Sequence, residues 1–331
     1  MITKISGATA RLFATTLIAT AAMTGSAVAE DKSVAFLSAS SANTWLGASR
    51  VEMERVAAEN GIKVVEFDGQ FDGARQATQM QDVISSGQYD GIILTSMNGA
   101  GAIPDIEAAQ AEGLKVVILN QIVGTDLTTS ELQVEGLSGS VLAAPFRTGE
   151  RMGTLTAQAC EGIDPCEVVY FYGIKGIPLD VALKDGFDSV LADHPNISVV
   201  AEGEGKYLGP DQGLSQTQDI LQVQPEFDVI VGSDQAMQGA QIALEDEGML
   251  DDVSIIGFGG SAAAIEGIKS GAWFGGVMGA PGTEGRLAME AMVDALATGA
   301  SSGGIDPLTT LPDGGLITQD NVDKFTPEWN G

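Results

Sequence analysis

Short apolar runs alternate along this chain with stretches in which apolar residues recur every three or four positions. The first four runs, at 34–37, 62–67, 91–94 and 115–119, are mostly apolar, broken only by Lys63, Glu66 and Lys115, and too short for helices. That pattern predicts strands covered on both faces in a parallel sheet. Between them Leu46, Met53, Val56 and Ala57 fall on one helix face, and Ala74, Ala77, Met80 and Val83 on another, with Asp72 placed to cap its start. A run at 141–144 reads as the fifth strand. The preceding stretch, 121–140, is then a long excursion of the kind that carries function or moves.

The rhythm resumes with strands at 167–171, 197–201, 229–232, 253–257 and 273–277 and helices at 179–193, 211–223, 234–247 and 261–270. A last helix at 283–298 precedes a Gly/Ser-rich link, 299–304, and a tail. The expected fold is α/β: two similar lobes, each a doubly wound parallel sheet. Ligands of such sheets bind beyond the carboxyl ends of the strands. The candidate site residues at those ends are Ser38, Asn43, Trp45 and Leu46; Gln70 and Phe71; Met97 and Asn98; Asn120 and Gln121; Ser233 and Asp234; and Gly259. Ser38-Ala39-Ser40-Ser41-Ala42-Asn43-Thr44-Trp45 stands out, because small polar residues deliver one Asn and one Trp directly after an apolar strand. An N-cap at Asn43 or Thr44 with Trp45 covering the core edge is the ligand-free reading of the same residues.

Residues 1–29 carry Lys4 and Arg11, an apolar stretch at 12–23, and Ala27-Val28-Ala29, the pattern of an export signal cleaved after Ala29. The apolar stretch is shorter than the roughly 20 residues a spanning helix needs. The mature chain is therefore expected outside the cytoplasm. Its roughly 300 residues exceed what one core usually organises. The formal charge is -29; without Lys4 and Arg11 it becomes 14 Lys+Arg against 45 Asp+Glu, or -31. Such a chain repels nucleic acid and anionic membranes. The acidity suits either a cationic ligand or, the reading taken here, a dispersed surface charge fitted to a salty environment. Cys160 and Cys166 are the only cysteines and bracket a short turn, where a disulfide would staple a helix end to the next strand. A single histidine, His194, argues against Ser-His-Asp, Cys-His and poly-His zinc chemistry. Gly257-Phe258-Gly259-Gly260 misses a dinucleotide loop because Ala262 stands where its last glycine belongs, and no phosphate-binding G-x-x-x-x-G-K-[ST] occurs. No cofactor and no enzymatic activity are expected.

Several segments resemble, in corresponding order, the ribose-type periplasmic sugar-binding proteins that feed ABC importers. They are Asn43-Thr44-Trp45-Leu46, Asp68-Gly69-Gln70, Ala182-Leu183-Lys184-Asp185-Gly186-Phe187, 231–240, Ile256-Gly257-Phe258-Gly259-Gly260 and the tail 316–325. The resemblance implies two lobes on a three-stranded hinge, crossing near 144–146, 279–281 and 310–312. The implied lobes are 30–144 plus 280–311, and 145–279 plus 312–331. It implies capture of a small ligand by hinge closure, a monomer, delivery to an ABC permease in the inner membrane and, as a further partner class, a membrane chemoreceptor. Trp45 and Tyr207 become the candidate stacking rings. Val181 or Leu183, with Asp180 adjacent, stands where the family places a clamping Arg, and Gly279 where it places a Gln. Departures at Asn120-Gln121, Val181, Leu183, Ser233, Gly259 and Gly279 remove most charged clamps. The expected ligand is therefore an uncharged sugar, sugar derivative or polyol, with Gly259 and Gly279 vacating space for bulk.

Overall fold

The computed structural model of the protein describes residues 1–4 and 32–331. The expected export signal and its cleavage after Ala29 lie outside the described residues, apart from residues 1–4, which have no regular structure.

The first lobe begins β1 Lys32–Ser38, α1 Thr44–Glu59, β2 Ile62–Asp68, α2 Gly73–Ser86, β3 Gly91–Leu94, α3 Ile103–Ala111, β4 Lys115–Leu119 and β5 Gly139–Val141. The second runs α4 Pro145–Ala159, β6 Cys166–Tyr172, α5 Pro178–Leu191, β7 Ile197–Glu204, α6 Pro210–Val223, β8 Val229–Ser233, α7 Asp234–Glu247, β9 Ser254–Gly259, α8 Ala262–Ser270 and β10 Gly275–Met278. The chain then returns as α9 Pro281–Thr298 and β11 Gly304–Ile305, and finishes with β12 Leu316–Thr318. The sheets are ordered β11-β5-β4-β3-β1-β2 and β12-β10-β9-β8-β6-β7, so the same strand order is built twice. The first is parallel throughout; in the second, β12 runs antiparallel to β10.

The strands are apolar on both faces because helices cover both. β3 and β8 are buried at every position, and their side chains divide between separate apolar clusters above and below each sheet. Helix starts follow local chemistry: the Asp72 carboxylate accepts from the amides of Ala74 and Arg75, and the Ser233 and Ser261 hydroxyls accept one amide each at the starts of α7 and α8. Three segments pass between the sheets: 142–144 before α4, Gly279 and Ala280 before α9, and 306–315 between β11 and β12.

The structure corrects the pattern reading in three places. The fifth strand is Gly139–Val141, and 142–144 already leaves the sheet. Helix α4 escaped the apolar pattern because its buried positions include Thr148, Gly149, Gly153 and Thr156, small residues chosen for close packing on α5. The stretch 121–140 is packed, not open: Ile122, Val123, Val134 and Leu137 are buried in the cluster shared with α3 and β4, and the Gln133 amide closes a loop onto the backbone of Asp126.

Cys160, at the end of α4, is bonded to Cys166, the first residue of β6, with Cα atoms 5.7 Å apart. The pair sits at the end of β6 away from its carboxyl terminus, about 20 Å off along seven residues of strand. Replacing both cysteines by serine should therefore leave ligand affinity unchanged. It should lower stability by about 2 kcal/mol, the loop-closure entropy of so short a ring. Urea unfolding and calorimetric titration of the same double variant check both halves.

Candidate functional site

The carboxyl ends of the two sheets enclose a cavity of about 100 Å³, several times the space one water needs. The first lobe contributes Ala39, Asn43, Trp45, Leu46, Phe71, Thr95, Asn120 and Gln121. The second contributes Thr148, Leu179, Leu183, Tyr207, Gln235, Phe258, Gly259 and Met278. Ala143, Pro145, Gly279, Glu284 and Leu308 come from the crossing segments or the elements that follow them, and Trp329 from the C-terminal tail.

Both readings of the segment after β1 hold at once. Asn43 is the N-cap of α1, its Oδ1 accepting from the Leu46 amide at 2.8 Å, while its Nδ2 donates 2.8 Å across the cleft to the Tyr207 carbonyl. One side chain thus starts a helix and joins the lobes. Trp45, on the first turn so started, lines the cavity, donates from Nε1 to Glu284 Oε2 at 3.1 Å, and meets the Trp329 ring edge-on at 5.3 Å.

The aromatic walls are placed by strain. After the second strand of each lobe comes a pair of residues in the left-handed region: Gln70 and Phe71 (φ 53° and 55°) and Lys206 and Tyr207 (φ 59° and 55°). Such non-glycine conformations cost of order 1 kcal/mol or more each and persist only where the surroundings hold them. The equivalent turns each put one ring on the cavity wall, Phe71 from one lobe and Tyr207 from the other. Asn120 (φ 64°) is held likewise at the end of β4, and its Nδ2 donates to Glu284 Oε2 at 3.1 Å.

Of the residues expected from sequence, Asn43, Trp45, Leu46, Phe71, Asn120, Gln121, Tyr207, Gly259 and Gly279 line the cavity; the others do not. Ser38 is fully buried behind the wall, with Oγ unpartnered. Gln70 is exposed, because the turn that brings Phe71 inward puts its neighbour out. Met97 packs in an apolar cluster with Ala39 and Leu46, and the exposed Asn98 bonds the Gly73 carbonyl. Val181 lies on the solvent side of α5. Ser233 is spent capping α7. Asp180 and Asp234 are buried as backbone anchors: Asp180 accepts from the Gly173 and Ile174 amides and the Tyr207 hydroxyl, and Asp234 from the Ser261 amide.

The space that Gly259 and Gly279 were expected to vacate is filled. A Cβ on Gly279 would stand 2.2 Å from the Trp45 ring, and one on Gly259 2.7 Å from that of Trp329. The glycines are there to admit the two tryptophans. Sequence reasoning missed Trp329, whose Nε1 donates to the Gly259 carbonyl at 2.8 Å, and Glu284, which is 1% exposed. A Trp near the chain end and an acid in a first helical turn give no local sign of a site.

Burial pushes the Glu284 carboxyl up to about 8, against the pull of the Asn120 and Trp45 donors, and pushes Asp180 and Asp234 up to about 6. All three fold with values above the unfolded 4.5 and 3.8, so the folded state holds protons the unfolded chain releases. Their stabilising contribution is fully present below those unfolded values. It is lost as pH rises through about 6 for the aspartates and about 8 for Glu284. The unliganded stability should fall steadily from pH 5 to pH 8, by at most about 1.4 kcal/mol per pH unit for each acid in its window, and the Tm should fall with it. A Tm that rises over that range contradicts the protonation of these groups.

Residues 34–301 match the model of the periplasmic binding protein domain. The chain belongs to that family. This periplasmic binding protein is 26% identical over 272 residues to the xylitol-binding protein of Mycolicibacterium smegmatis, covering 82% of this chain and 73% of that one. It is 25% identical over 245 residues to a ribose import binding protein of Bacillus subtilis, covering 74% and 75%. Among solved structures, a galactofuranose binding protein superposes with a TM-score of 0.77 at 19% identity, covering 88% of this chain and 96% of the other. An ABC transporter solute binding protein from Bacillus halodurans with bound myo-inositol gives 0.75 at 21%, covering 90% and 100%. These structures share the two-lobed fold. Among the described residues no helix is long and apolar enough to cross a membrane, and no group of three or more His, Cys, Asp or Glu is arranged to hold a metal ion.

Proposed function

We propose that this periplasmic binding protein is exported, captures a small sugar, sugar derivative or polyol by closing its lobes, and presents it as a monomer to an ABC permease. The observation that carries the reading is the cavity between the strand tips, walled by aromatic rings from both lobes and bridged by the Asn43–Tyr207 hydrogen bond. Rings exclude water from the C–H faces of such a ligand, and amides such as Asn120, Gln121 and Gln235 orient its hydroxyls. The names of relatives that bind xylitol and ribose support the ligand class. The lobes divide at 144/145, 279/280 and 311/312, where the three crossing segments serve as the hinge. Nothing in this mechanism requires covalent chemistry; the protein's work is differential affinity between open and closed forms.

A thermal-shift screen against pentoses, hexoses and polyols tests the reading. A ligand at 100 times its Kd should add about 2.7 kcal/mol to folding, and scattering should show contraction as the lobes close. A protein that responds to no member of these classes would not be a sugar or polyol receptor.

A further inference from the structure

Glu284 sets the cavity apart from a purely neutral pocket. Among the described residues it is the only acidic side chain on the wall, and none of the lining residues is Lys, Arg or His. Among the described residues its donors are Trp45 Nε1 and Asn120 Nδ2, which both converge on Oε2, and none of those residues donates to Oε1. The other buried acids nearby differ. Asp180 uses both oxygens on backbone amides, and the free Oδ1 of Asp234 lies against Gly257 and Trp273, beneath the sheet end rather than in the cavity. Two N–H groups aimed at one carboxyl oxygen favour the ionised form, and a buried carboxylate with no counter-charge is costly. In the empty cavity the acid avoids that cost by keeping its proton, and the space beside it is the cavity, where a cationic group on the guest can take the proton's place. Trp45 adjoins the carboxyl group through Nε1 and meets the Trp329 ring edge-on, so the seat is flanked by aromatic surface that excludes water.

We propose that the guest is an aminated sugar or polyol, its ammonium seated on Oε1 of Glu284. This rests on the sugar and polyol reading and narrows it. The charged groups facing Glu284 from neighbouring segments are Glu328 of the tail and Asp306 after β11, both acids, which add to the cavity's negative potential. With the empty carboxyl held up near 8, seating an ammonium at pH 7 expels the proton. Binding thus carries a proton signature that a neutral guest lacks.

The test is calorimetric titration of the full mature chain at pH 7, in two buffers of different ionisation enthalpy. The probes are 1-amino-1-deoxy-D-glucitol, 2-amino-2-deoxy-D-glucose and an inosamine, each against its hydroxyl counterpart. At least one amine should bind at least about tenfold more tightly than its counterpart, and 1-amino-1-deoxy-D-glucitol or the inosamine should release roughly one proton on binding. Glu284→Gln, which keeps shape and acceptor, should weaken that amine at least about 100-fold and abolish both the proton release and the preference for the amine over its hydroxyl counterpart. Hydroxyl counterparts that bind as tightly as the amines, with no proton released, overturn the inference while the sugar and polyol reading stands. Silence from both sets overturns the inference alone if a pentose, hexose or polyol raises the Tm in the thermal-shift screen, and overturns the reading with it if none does. The proton count comes from the unaltered protein, so the outcome does not depend on the variant's folding.

Discussion

Trp45→Ala is expected to abolish the thermal shift produced by whichever sugar or polyol the protein binds, with affinity down at least about 100-fold, the scale of a central aromatic anchor. Three contacts go with the ring. The cavity loses one of its two tryptophan walls, Glu284 loses one of its two donors, and the ring no longer fills the space against Gly279. Trp45→Phe separates the parts. It keeps an apolar wall but removes Nε1, so it should retain more affinity than the alanine variant and less than the parent. If the alanine variant binds as well as the parent, Trp45 is a cover for the core edge and the cavity lies elsewhere. Circular dichroism and the unliganded Tm show that the variant is folded, since Trp45 is only half-buried and leaves the sheet beneath it intact.

Gly285→Ala is expected to be the most destabilising single methyl in the first lobe, at about 3 kcal/mol, because a backbone rather than a side chain must move to admit it. A Cβ there would stand 1.9 Å from the Ser49 carbonyl oxygen and 2.5 Å from its carbon, where α9 crosses α1. Side chains yield by changing rotamer; a helix backbone at that distance yields only by separating the two helices. The effect reaches the site. Ser49 lies one turn beyond Trp45 and its hydroxyl donates to the Trp45 carbonyl, while Gly285 follows Glu284 directly. Prising α1 from α9 therefore pulls apart the Trp45–Glu284 hydrogen bond. Urea denaturation should show the loss of stability, and titration of the surviving folded protein a weakened guest. A variant as stable as the parent would mean that the two helices slide apart at no cost.

The two effects share a cause. The carboxylate and the ring that face each other in the cavity belong to α9 and α1, and the closest backbone approach between these helices lies one turn away. The site is only as exact as that packing. The disulfide of the other lobe has no such link to the cavity.

Central strands apolar at consecutive positions, helix faces with a period near 3.6 and polar residues at strand ends are local properties, so the sequence alone determined the two α/β lobes and the end of each sheet that bears the candidate site. It also determined Asn43 and Trp45 as unusual, because small polar residues after a buried strand cost burial unless something uses them. Tertiary structure decided which strand-end residues face inward. Phe71 and not Gln70 lines the cavity because a left-handed turn sets the direction, and Asp180 and Asp234 turn away because backbone amides claim their oxygens. It alone decided Glu284 and Trp329, which reach the cavity from an element after a crossing and from the tail. No periodicity marks them, since what makes them part of a site is the closeness of segments far apart in the chain.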